Sequence, residues 1–163
     1  TGSRSMRSCT MTVGDRQIRS KPECVQILKV QFKEINISTK DRTEIIDITD
    51  EIEKHVQDSG VKSGICLVST LHSTTAVAIN ENERGLLRDI VRKVKEEFPR
   101  GAGWDHDRIN DNADAHLAST FMGNSRALPV RESRLVRGTW QNIFLLELDG
   151  PRNRRVIIEV MGE

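Results

Sequence analysis

The chain has 163 residues, enough for one domain with a sizeable core. With 30% charged residues and a formal net charge of +1, it lacks the basic excess of a general nucleic-acid or membrane-surface binder. No apolar run approaches the roughly 18 residues of a membrane span, and the three cysteines form no CxxC pair, which fits free thiols in a reducing, cytoplasmic compartment.

Residues 1–23 are polar, basic and aperiodic, without the apolar h-region of a secretory signal. They read as a disordered arm, an expression residue or part of a targeting segment, and stand outside the fold. Residues 24–163 are expected to form one domain. "VQILKVQFKEI" alternates through Ile27, Leu28, Val30, Phe32 and Ile35, the pattern of a half-buried strand, and "TEIIDI" reads as a short second strand. In "TDEIEKHV", Ile48, Ile52 and Val56 predict a short helix, with Asp50 and Glu53 as a capping box and Gly60 as its stop. His55 on that charged helix reads as a solvated histidine.

"SGICLVSTLH" and "TTAVAIN" read as two strands, Cys66 being a small core residue. "ENERGLLRDIVRKVKEEFP" is the clearest helix: Leu86, Leu87, Ile90, Val91, Val94 and Phe98 line one face, and Asn80 or Asn82 suits its N-cap. "AHLASTFMG" predicts a further short helix over 114–122, capped by Asp114 or Asn112. Strands follow at "RALPV", "RLVRG", "TWQNIFLLELD" and "RRVIIEVMG", the last two read as a hairpin around "GPRN". Strands in runs with short connections favour antiparallel pairing. The expected fold is α+β: packed, sandwich-like antiparallel sheets with two or three covering helices.

The two histidines, four aspartates and two asparagines of "WDHDRINDNADAHL" cannot build a core. His106 and His116 are ten residues apart, too far for two ligands on one helix, but one can sit in a loop and the other in the first turn of the next helix. His72 closes a strand, where side chains emerge at a sheet end. Three neutral imidazoles with an open position suit a zinc-type site, with Asp105, Asp107, Asp111 and Asp114 available to orient them. The same acids also serve as turn and cap residues. Glu81, in "NENE", reads either as a helix-start residue or as a general base lying near the same sheet end as His72. Ser125, Thr139, Gln141, Arg152, Arg154 and Arg155 supply hydroxyls, an amide and guanidiniums fit for phosphate. Alternation sends Arg154 and Arg155 to opposite faces of their strand.

Taken in order, "HSTTAVAINENE", "HD", "NADAH", "S…LPV", "GTWQ.I", "DGPR.RR" and a terminal "GE" resemble the YjbQ family, often described as secondary thiamine-phosphate synthases. The resemblance runs from about residue 25 to 163, and it departs from the family at His72-Ser73-Thr74, where His-Thr-Thr or His-Thr-Ser is usual. It implies a homotrimer and a site built on His72, His106 and His116. The implied activity joins a hydroxymethylpyrimidine diphosphate to a thiazole phosphate, releasing diphosphate, as a secondary reaction. A phosphorylated small molecule is the expected ligand, and a divalent metal, zinc or magnesium, the expected cofactor. A metal-dependent hydrolase and a non-catalytic trimeric binder of metabolites or anions remain the alternatives.

Overall fold

The structure is a computed structural model describing residues 27–163. The N-terminal arm, together with the start of the first expected strand, lies outside the described residues. In chain order the elements are β1 (Lys29–Ser38), β2 (Glu44–Asp47), α1 (Thr49–Ser59), β3 (Ser63–Thr70), β4 (Thr75–Asn80), α2 (Arg84–Glu97), a 3₁₀ turn (Asp105–Arg108), α3 (Ala113–Met122), β5 (Ser125–Arg131), β6 (Arg134–Leu135), β7 (Asn142–Glu147) and β8 (Asn153–Gly162).

All pairings are antiparallel. They make a large sheet in the order β1-β8-β3-β5-β6 and a small sheet in the order β2-β7-β4. The main core lies between them: Cys66, Val68, Val156, Ile158 and Val160 of the large sheet meet Val77, Ile143 and Leu145 of the small one. Helix α1 closes this core with Ile52 and Val56. On the other face of the small sheet, Phe144 and Leu146 carry α2 through Leu87 and Ile90. This is the α+β arrangement of packed antiparallel sheets and covering helices that the patterning predicts.

The hairpin expected around "GPRN" does not form. β7 pairs with β2 and β4, whereas β8 pairs with β1 and β3, so residues 148–152 carry the chain from one sheet to the other. The burial patterns explain why. β7 is buried on both faces from Ile143 to Glu147, as a central strand between core and helices must be, while β8 alternates, with only one face in the core. β3 and β4 are split between sheets in the same way, through residues 71–74. The two crossings meet at one end of the molecule.

Local details differ from expectation at the helix starts. The Asp50–Glu53 capping box is absent: the Thr49 N–H donates to Asp47 Oδ1 at 2.9 Å, and Glu53 accepts from Arg137 Nε at 3.1 Å. Burial alone would raise the Asp47 carboxyl, but donors on Thr49, Asn142 and Asn82 outweigh it and hold the group below the usual carboxylate range. Helix α2 is capped by Glu83, whose carboxylate accepts from the N–H of Gly85 (2.6 Å) and Leu86 (2.7 Å), rather than by Asn80 or Asn82. Asn112 stands at the start of α3, yet the side-chain bond there comes from Asp107, which accepts from the Ala113 N–H at 3.0 Å. Gly60 ends α1 in the left-handed region, φ +66°, as the sequence suggests. Burial pushes the Cys66 thiol up to about 12, so it serves as packing. Among the described residues no helix is long and apolar enough to cross a membrane.

His55 is buried, not solvated. It shares the inward stripe of α1 with Ile52 and Val56, three residues beyond the first of them. Among the described residues its Nε2 has no hydrogen-bond partner, and burial lowers its pKa below the ordinary 6.5, with Lys33 adding to the effect. A histidine whose folded-state pKa is depressed stabilises the fold above its unfolded value, and that contribution is lost as pH falls below it. The urea midpoint is therefore expected to drop between pH 7 and pH 5, and to drop less in His55→Leu. An equal drop in both proteins would show that the buried imidazole is not its source.

Candidate functional site

The site grows from a carboxylate inside the apolar strand β7. Glu147 is fully buried, and such a charge needs a partner. It accepts from Arg154 Nε at 2.6 Å, from the N–H groups of Leu148 and Asp149 at 2.9 Å each, and from Thr39 Oγ1 at 3.1 Å. Arg154 lies on the core-facing side of β8, so this ion pair joins the small sheet to the large one. Its Nη2 also donates to Thr74 Oγ1 at 3.0 Å, which draws in the other sheet-crossing turn. Gly150 packs so closely here that a Cβ would lie 2.4 Å from the Asp41 carbonyl oxygen and 2.8 Å from Glu147 Cγ. A glycine is the residue the close approach demands.

His72 sits in the 71–74 crossing. Its Nε2 accepts the backbone N–H of Arg155 at 2.9 Å, which makes Nδ1 the protonated nitrogen. Burial, then Arg154 and Arg155, depress its pKa against the opposing pull of Glu147. This favours a neutral ring whose Nδ1–H is a donor. The Thr70 and Thr75 hydroxyls bond to each other at 2.6 Å beneath the turn, and Ser119 Oγ on α3 donates to the Thr75 carbonyl at 2.7 Å, fixing α3 against β4.

Helix α3 brings His116 to the same place. His72 and His116 line one cavity of about 580 Å³ with Ser73, Ser119, Thr120 and Asn124. His116 and Ser73 also line a second cavity of about 570 Å³, whose walls include Arg42, Arg100, Arg152 and Arg154. The expected meeting of His106 with His116 is present: one sits in the 3₁₀ turn, the other in α3, with ring centroids 4.8 Å apart and edge to face.

The loop acids do not orient these histidines. Asp114 and Asp149 bind Arg42, at 3.0 and 2.6 Å. Arg100 and Arg108 take Asp111 and Asp105, and Asp107 bonds to the Ala113 N–H. Asp149 also accepts from Asn112 and Arg152; burial raises its carboxyl, but those donors with Arg42 win and hold it below the usual range. Three polar atoms of this segment are buried without a partner among the described residues: His106 Nε2, Asp107 Oδ2 and Asn112 Oδ1. The unpartnered imidazole nitrogen beside His116 is of the type a metal would use. Among the described residues no three His, Cys, Asp or Glu side chains are arranged to hold a metal ion.

The remaining predicted residues divide. Arg152 lines the arginine-rich cavity and pairs with Asp149 at 2.9 Å. Arg155 points to the face opposite Arg154, near Glu34 at 3.6 Å; it bonds to His72 through its backbone N–H, and its guanidinium acts on that ring only through its charge. Ser125 follows Asn124 of the histidine cavity but does not line it. Glu81, Thr139 and Gln141 lie elsewhere. β4 runs from Thr75, opposite Glu147, to Asn80, opposite Asn142, and so carries Glu81 about 17–20 Å from the histidine end, not to the same end. Gln141 closes its own turn, accepting the Gly138 N–H at 2.7 Å. Sequence reasoning missed Arg42, Arg100 and Glu147. No local pattern marks the two arginines, but an acid within "IFLLELD" was a readable sign of a buried partner.

Two packed antiparallel sheets with covering helices define a class of fold shared with known proteins. A family model described as UPF0047 protein YjbQ-like matches residues 33–163. A UPF0047 protein of Archaeoglobus fulgidus is 50% identical over 128 residues, covering 78% of this chain and 99% of that protein. The UPF0047 protein YugU of Bacillus subtilis is 38% identical, covering 80% and 99%. A crystal structure of a YbjQ-like protein of unknown function from Sulfolobus solfataricus superposes with a TM-score of 0.83 at 53% identity, covering 84% and 100%. The chain belongs to the UPF0047/YjbQ-like family.

Replacing Glu147 with Gln leaves Arg154 buried without its counter-charge. The expected loss of stability is about 3–5 kcal/mol, and replacing both residues by apolar ones of similar volume should restore much of it. Urea denaturation measures both; a loss below about 1 kcal/mol in Glu147→Gln would mean that Arg154 does not depend on this carboxylate.

Proposed function

We propose that the chain is an enzyme acting on a phosphorylated small molecule, with a thiamine-phosphate synthase-like transfer as a secondary activity. The observation that carries this reading is the paired cavity: Ser73 and His116 belong to both lobes, one walled by arginines and the other by hydroxyls, an amide and His72. Guanidiniums fit a phosphate or diphosphate. In the transfer, the bond from the hydroxymethyl carbon to the diphosphate oxygen breaks, the thiazole nitrogen bonds to that carbon, and diphosphate leaves. Negative charge gathers on the departing oxygen, where fixed cations and N–H donors lower the barrier. Arg152 and Arg154 supply the cations, the neutral His72 a donor at Nδ1, and His116, common to both lobes, a ring N–H for the departing oxygen.

A metal-dependent hydrolase is the second reading, favoured by the unpartnered Nε2 of His106 beside His116. A divalent cation there needs a ligand beyond those one chain arranges. An assembled homotrimer is part of the proposal. Its support is the outer face of the large sheet, where Val30, Met161, Ile65 and Pro129 form a row across four strands and the neighbouring Phe32 is 63% exposed. Apolar surface of this kind marks an interaction face.

Calorimetric titration with diphosphate is expected to show binding that weakens about tenfold in Arg152→Ala. Thiazole-phosphate-dependent release of diphosphate from the pyrimidine substrate should fall about 10²–10³-fold in His116→Ala. Unchanged affinity and turnover would remove the transferase reading. Stoichiometric zinc in protein purified without a metal-affinity tag, lost in His106→Ala, would favour the hydrolase. Light scattering should give a trimer mass that falls in Phe32→Lys; a monomer mass for the parent protein refutes the assembly.

A further inference from the structure

Helix α2 has a strongly amphipathic sequence, yet none of its residues is buried. It covers the small sheet incompletely. Beneath it lies a cavity of about 160 Å³, walled by Ile45, Ala78, Leu87, Met122, Phe144 and Leu146, with Asn80 the polar lining residue. Through Ile45 and Leu87 it adjoins a groove of about 530 Å³ between α2 and the edge strand β2. These two spaces share no lining residue with the histidine cavities.

Arg84 and Arg88 line the groove, one helical turn apart. Among the described residues neither guanidinium has a carboxylate within ion-pair distance, whereas Arg92 on the same helix pairs with Asp89 at 3.0 Å and lies 3.8 Å from Glu96. The acid of the groove, Glu44, is engaged by the backbone N–H groups of Lys40 and Asp41 at 2.7 and 3.4 Å. Like charges four residues apart on a helix repel. An anion between Arg84 and Arg88 relieves that repulsion and receives forked donors.

We infer that α2 and the small sheet form a second binding site, for a small organic acid whose apolar body enters the inner cavity while its carboxylate or phosphate lies against Arg84 and Arg88. The cavity volume fits an aryl ring or a chain of similar bulk, since an apolar cavity of about 150 Å³ accepts benzene. The mouth selects charge and the interior selects size. This inference stands apart from the reading of the histidine pocket.

The probe is 4-phenylbutyrate, titrated by calorimetry into the full chain beside the uncharged 4-phenylbutan-1-ol. Saturable binding of the acid is expected, about tenfold tighter than the alcohol at low ionic strength. Arg84→Ala with Arg88→Ala, both at the helix surface, should bring the acid to the level of the alcohol and leave the alcohol unchanged. Ala78→Leu, which fills the inner cavity, should abolish binding of both. The arginine variant keeps the test decisive where the cavity variant misfolds. His72→Ala should leave the affinity for the acid as it was. The inference is overturned by absence of saturable binding, by equal affinity for acid and alcohol, by loss of binding in His72→Ala, or by a protein assembly that dissociates in the arginine variant and never binds the probe.

Discussion

Glu147 and Arg154 are the constraint on which the rest of the architecture turns. A carboxylate at the end of a strand buried on both faces cannot be left alone, and the nearest guanidinium belongs to the other sheet. Bringing them together fixes how the two sheets meet. It also gathers three connections: the 71–74 crossing through Thr74, the 148–152 crossing through the Leu148 and Asp149 N–H groups, and the segment after β1 through Thr39. A buried ion pair of this kind gains little net stability over an apolar pair. What it confers here is position, because several backbone groups converge on one carboxylate.

The pocket inherits its electrostatics from that arrangement. Arg42, Arg152 and Arg154 are held by Asp149 and Glu147 before any ligand arrives, so their side chains are already ordered at the cavity wall. Such pre-ordering lowers the entropic cost of gripping an anion, at the expense of cationic charge already neutralised. His72 is drawn into the same logic: burial and neighbouring guanidiniums favour the neutral ring.

Much of the secondary structure was legible because burial imposes a period. The alternation of β8, the apolar run of β7 and the amphipathic stripe of α2 can each be read from residues alone. Partner choice between strands was not: proximity in sequence suggested a β7–β8 hairpin, and only the contrast between a run and an alternation hinted that the strands lie in different layers. The charged neighbours of His55 mask its place on the inward stripe of α1. Of the site, the histidines and Arg152 and Arg154 were accessible through the ordered motifs. Arg42 and Arg100 were not, since loop residues acquire their role only through the fold. Glu81 follows the histidine turn closely in sequence, but the six-residue strand between them carries it to the opposite end of the sheet.

The bond from the Arg155 N–H to His72 Nε2 ties the tautomer of a side chain to the register of a strand. β8 is held between β1 and β3, so its alignment is specified from both edges. Inserting or deleting a single residue between Arg155 and Gly162 would turn Arg154 outward and Arg155 inward, strip Glu147 of its counter-ion and replace the donor to His72. The C-terminal strand is thus intolerant of changes in length, although it contributes few side chains to the pocket. The connection between α2 and α3 carries no comparable ladder; it lends Arg100, Asn110, Asp111 and Asn112 to the arginine-lined lobe and no wall residue to the histidine lobe, so a change of length there falls first on the arginine-lined lobe.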